Sequence, residues 1–96
     1  MVLSLQKIID NMAVVAQEYP IERAELFGSY ANGQSTAASD VDIIMEFTTP
    51  QVSLLMLNNV KYRLEELLQT RVDLVHGPLP ADSLLEIDRR ITLYGA

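Results

Sequence analysis

The segment that could do chemistry is Gly28-Ser29, ten intervening residues, then Asp40-Val41-Asp42. It joins a turn able to cradle an anion to two carboxylates able to hold a cation. Placing two aspartates around a valine in an apolar run is costly unless a cation or an exposed working position compensates them. In an extended strand Asp40 and Asp42 fall on one side, about 6.5 Å apart, while Val41, Ile43, Met45 and Phe47 take the other. A third carboxylate, Asp73, stands in "RVDLV", where Val72 and Leu74 face inward and Arg71, Asp73 and Val75 point the other way. If these two strands lie close together, three carboxylates converge. Hard oxygen ligands of this kind suit Mg²⁺ or Mn²⁺, which bind through a few carboxylates plus substrate phosphates. Two such ions sharing the carboxylates could serve an in-line phosphoryl or nucleotidyl transfer. Gly28 and Ser29, where a strand would enter a helical turn, offer free backbone N–H groups and a hydroxyl to a triphosphate tail. Gly-Ser alone is any turn, and Asp-x-Asp alone is frequent. The combined spacing arises by chance in a chain of this length on the order of once in a thousand, so it carries weight that neither half does.

The elements that must position these residues can be read from periodicity. Leu5, Ile8, Ile9, Met12, Val15 and Tyr19 form one helical face that starts near Leu3 or Ser4 and ends at Pro20. "IERAELF" alternates and stops at Gly28, as a strand would. Ser29 to Asn32 fits one helical turn, closed by Gly33 as a left-handed residue. "GQSTAASD" reads as loop. "VDIIMEF" is the clearest strand in the chain, ending at Thr48-Thr49-Pro50. Leu54, Leu57, Val60, Leu64, Leu67 and Leu68 predict a long helix with polar residues on its other side. "RVDLV" is a third strand and "HGPLPAD" a loop. A last helix is expected after Asp82 as N-cap, with Leu84, Ile87, Ile91 and Tyr94 on one stripe. The order describes an α+β domain over residues 1–96: a small mixed sheet with helices packed on one face.

Composition narrows the function. At 96 residues the chain has room for one core and none for a second lobe gripping an elaborate substrate, so a large acceptor must come from outside. With 49% hydrophobic residues it is expected to be ordered. The absence of cysteine excludes thiolate metal sites and disulfides and suits the cytoplasm. "MVLSLQKIIDNM" lacks the pattern of a signal peptide, and no apolar run is long enough for a membrane span. A net charge of −6 with seven Lys and Arg disfavours direct nucleic-acid binding.

Residues 26–47 resemble the signature of the nucleotidyltransferase superfamily that includes DNA polymerase β, and most closely its minimal nucleotidyltransferase (MNT) domains. "RVDLV" resembles the family's third-carboxylate strand, and the family ends in a helix like the one expected to carry "ITLYG". The resemblance implies a small polymerase β palm-like fold with a mixed sheet of three to four strands. It implies that Gly28 and Ser29 bind nucleotide phosphates, that Asp40, Asp42 and Asp73 hold two Mg²⁺ ions, and that Asp73 also deprotonates the acceptor. Asn32 departs from the family, standing where its "GSxAxG" turn is often basic. Domains of this size are similar to antitoxins paired with HEPN-domain RNase toxins. That likeness implies transfer of AMP from ATP to a tyrosine near the toxin's active site. Two alternatives stay open: a noncatalytic antitoxin that only covers its toxin, and an enzyme modifying a small hydroxyl compound.

Several other residues are expected to be structural. His76 reads as a solvent-facing loop residue rather than a nucleotide contact, Glu46 as a polar position on the open sheet face rather than a metal ligand, and Lys61 with Glu65 as a surface i, i+4 pair rather than a phosphate clamp. Tyr30 could stack on a base, be self-modified, or pack in the core. The Leu-Leu-Met-Leu run at 54–57 spills apolar residues beyond one helical face and hints at a partner surface.

Overall fold

Ser4 starts the first helix, its hydroxyl accepting from the Lys7 amide at 3.1 Å. In the computed structural model, which describes residues 3–33, 35, 36, 39–78 and 90–95, this helix, α1, runs Leu5–Glu18 and buries Ile8, Met12 and Val15. The chain then forms β1 (Ile21–Phe27), a single turn α2 (Gly28–Ala31) and β2 (Val41–Phe47). After these come α3 (Leu54–Leu68), β3 (Val72–His76) and β4 (Ile91–Tyr94). Ser53 caps α3 by accepting from Met56 N–H, and Gln69 ends it in the left-handed conformation. Gly33 is left-handed after α2, as its position predicted.

The four strands lie in the order β3-β2-β1-β4, with β3 parallel to β2 and the other pairs antiparallel. Val41, Ile43, Met45 and Phe47 bury the face of β2 that meets the helices, beside Val60, Leu64 and Leu68 of α3 and the inner stripe of α1. The mixed α+β sheet with helices on one face agrees with the sequence-based expectation. Among the described residues no helix is long and apolar enough to cross a membrane.

The final segment departs from expectation. Ile91 and Tyr94 belong to a strand, not a helix; Leu84 and Ile87, the other half of the predicted stripe, lie outside the described residues. "ITLY" is half-buried, exposed, buried, exposed along its length, a two-residue period, and it pairs with the edge of β1 at Leu26↔Ile91 and Ala24↔Tyr94. A β-branched and aromatic tetrapeptide beside an unpaired sheet edge gains ladder hydrogen bonds that an isolated helical end would lack.

On the open face of the sheet, Ile44 is nonetheless buried. Gly77 lies directly over it: a Cβ on Gly77 would come 2.7 Å from Ile44 Cγ2. The Gly77 amide donates to Met45 O at 2.8 Å, fixing that turn.

Candidate active site

Parallel pairing places Asp42 directly beside Asp73, because Val41↔Val72 sets the register and Asp42↔Asp73 follows. On its other flank Asp42 pairs with Phe27, the residue before the Gly-Ser turn. The sheet order therefore sets Asp42 between Asp73 and the end of β1. Gly28 is in the left-handed region at φ +73, and a Cβ there would strike the Asp42 carboxylate. Two requirements thus demand glycine: its backbone angle and the room taken by that carboxylate.

The electrostatics are unfavourable in the chain by itself. Partial burial pushes the Asp42 carboxyl up to about 6; hydrogen bonding to Asp73 and the negative charges of Asp73 and Asp40 push it the same way. Asp40 lies near enough for its charge to act on Asp42. Among the described residues, however, no three His, Cys, Asp or Glu side chains are arranged as a metal shell. The structure thus joins Asp42 and Asp73 as neighbours, with Asp40 beside them. This donor set still fits a hard divalent cation, since all donors are oxygens and a cation would offset the burial and the like charges that raise Asp42.

A cavity of about 460 Å³ opens beside this pair. Asp42, Asp73, Asn58 and Lys61 supply its polar groups. Phe27, Leu54, Leu57, Leu74 and Val75 supply its apolar wall. Gly28, Ser29 and Asp40 do not line it. Asn58 is the residue that sequence reasoning missed, and Lys61 the one it assigned to a surface pair. Glu65, the expected partner of Lys61, instead accepts from Val72 N–H at 3.0 Å, and among the described residues Lys61 has no ion pair. The available signal was spacing: Leu54, Leu57, Asn58 and Lys61 stand at i, i+3, i+4 and i+7 on one side of α3.

The remaining candidates lie away from the pair. His76 ends β3 on the helix-side face, where its ring meets Phe47 edge-on at 5.6 Å. Tyr30 packs against the core and its hydroxyl accepts from Leu3 N–H at 3.4 Å. Glu46 sits on the open face in register with Arg23.

Comparison with known proteins gives the family and the fold. A family profile described as a nucleotidyltransferase domain matches residues 12–93. Two Methanocaldococcus jannaschii proteins provisionally named protein adenylyltransferases are similar to the chain. One is 36% identical over 73 residues, covering 76% of this chain and 77% of that protein. The other is 35% identical over 75 residues, covering 73% and 76%. Among solved structures, a chain of a toxin–antitoxin complex with AMP-PNP superposes with a TM-score of 0.73 at 22% identity, covering 92% of this chain and 73% of that one. A chain from the tri-AMPylated Shewanella oneidensis HEPN toxin in complex with its MNT antitoxin gives 0.67 at 19%, covering 97% and 74%. These two likenesses are of fold. A provisionally identified minimal nucleotidyltransferase matches at 29% identity with a TM-score of 0.63, covering 77% and 78%.

Proposed function

The chain belongs to the nucleotidyltransferase domain family, and from that premise we propose that it transfers AMP from ATP to a tyrosine hydroxyl of a cognate HEPN-type RNase toxin, acting as the antitoxin. The observation that carries this reading is the in-register Asp42–Asp73 pair, which among the described residues makes no ion pair, beside a glycine that leaves room for the carboxylate. The relatives' provisional names support adenylyl transfer, and the folds of the toxin–antitoxin chains support the pairing.

In this reading Asp42 and Asp73, with Asp40 beside them, hold Mg²⁺. A cation held there would supply positive charge to offset that of the triphosphate. Ser29 and the first amides of α2 bind the phosphate tail. Asp73 accepts the proton of the attacking hydroxyl. The described fold is small, which favours a partner that brings its own acceptor over a small compound needing a built pocket.

The test is intact-mass spectrometry of the toxin encoded beside this chain, after incubation with the protein, ATP and Mg²⁺. The toxin should gain the mass of one or more AMP groups, placed on tyrosine by fragmentation. An unmodified toxin that is still neutralised would instead establish the noncatalytic antitoxin.

A further inference from the structure

In an in-line transfer the attacking oxygen and the leaving pyrophosphate lie on opposite sides of the α-phosphorus. If the phosphate tail rests on the turn that begins at Gly28, the acceptor must approach from the far side of Asp42. The sheet order puts Asp73 on that side, and the cavity beside α3 takes in both Asp42 and Asp73 while leaving out Gly28 and Ser29. We infer that this cavity between α3 and β3 is the acceptor subsite, that it takes a tyrosine side chain presented by the partner, and that Lys61 meets the phenol oxygen there. The inference rests on the proposed transfer reaction and adds where and how the acceptor is held.

The lining suits a phenol. Phe27, Leu57, Leu74 and Val75 give an apolar wall for a ring, with Phe27 available for an aromatic contact. The volume lies within the range of about 300–1,000 Å³ found for ligand pockets. Leu54 lines the mouth yet is 72% exposed, so a seated ring would cover surface that the chain leaves open. Asp42, Asp73, Asn58 and Lys61 give the same cavity polar groups that could meet a hydroxyl. Asp73 takes the phenol proton, and the phenol oxygen forms its bond to the α-phosphorus. The bond from phosphorus to the bridging oxygen breaks, and pyrophosphate leaves with that electron pair. The Lys61 ammonium, with no ion pair among the described residues, stabilises the negative charge that develops on the phenol oxygen. An aliphatic serine hydroxyl would neither fill the apolar wall nor delocalise that charge.

The rival occupant of the cavity is the adenine base of ATP. Methyl-labelled protein titrated with millimolar N-acetyltyrosinamide, and separately with ATP and Mg²⁺, distinguishes the two by NMR. The methyls of Leu54, Leu57, Leu74 and Val75 should shift with N-acetyltyrosinamide, and the amides of Gly28 to Ala31 with ATP. Cavity methyls that respond more to ATP, or that ignore N-acetyltyrosinamide, overturn the assignment. This titration reads the subsite even if no toxin is ever modified, so its failure is separable from failure of the proposed function. Two variants at accessible positions extend it. Leu54→Asp should raise the KM for the toxin about tenfold, the effect of losing one apolar contact, with ATP affinity unchanged. Lys61→Met should lower kcat more than it raises KM. Weakened ATP binding in Leu54→Asp, with an unchanged KM for the toxin, would assign the cavity to the nucleotide.

Discussion

Two carboxylates on the open face of the sheet are withdrawn from water, and the chain treats them in opposite ways. Glu25 on β1 is 8% exposed and lies between two guanidinium groups, Arg23 at 3.6 Å and Arg90 at 3.7 Å. Asp42 on β2 is half-buried; its burial raises its pKa most, and its neighbours Asp73 and Asp40 raise it further instead of offsetting it. A buried carboxylate supplied with counter-charges has its charge balanced within the fold. One set among like charges is incomplete until a cation arrives from outside. The difference marks Glu25 as structure and Asp42 as site, although strand alternation gives both the same kind of position.

The comparison breaks most visibly through Asp42→Asn. This change keeps the size of the side chain and removes its charge, so the protein should fold while AMP transfer to the toxin falls about a thousandfold, on the order of 4 kcal/mol. Steady-state rates beside a thermal melt check both halves. Next in size is the reverse experiment at Glu25. Replacing Arg23 and Arg90 together by methionine leaves a buried charge without partners and should lower stability by about 2 kcal/mol in urea titration. The rate per folded molecule should stay the same.

Gly28→Ala should cost about 1 kcal/mol from the left-handed backbone angle alone. Because its Cβ would also displace the Asp42 carboxylate, transfer should fall by more than the lost stability explains. A variant that is less stable but fully active would reduce the turn to a structural role.

The smallest effect is the dependence of stability on pH. Asp42 is raised from 3.8 to about 6, so below about pH 4 it is protonated in both folded and unfolded chains. As pH rises from there through about 6, the unfolded chain releases this proton first and the folded state loses stability. In chelator, Asp42→Asn should match wild type near pH 4 and be more stable by about 1 kcal/mol near pH 7, after allowing for solvent screening. Equal stability across that range would show that Asp42 is not electrostatically strained.

Much of this contrast was legible in the chain. "DVDIIMEF" alternates, but for Ile44, so that its two aspartates share one facing, and Gly33 announced the end of α2. The fate of "ITLY" was not legible. Four residues fit a helical stripe or a strand equally well, and the deciding factor was the distant edge of β1. Lys61 was hidden for a related reason: a lysine on an amphipathic helix reads as solvated until the helix is known to lie beside Asp73. The clash awaiting any side chain at Gly28 was likewise invisible, since it depends on how the start of β2 folds back against the end of β1. Local pattern determined which residues carry charge; tertiary placement determined which of those charges have partners.

Calorimetric titration of ATP into the protein, with Mg²⁺ and then in EDTA, tests most directly the claim that the Asp42–Asp73 pair awaits a cation. The account predicts heat of binding with Mg²⁺ and none in EDTA, where the triphosphate would meet uncompensated carboxylates. Equal ATP affinity in both conditions would contradict it.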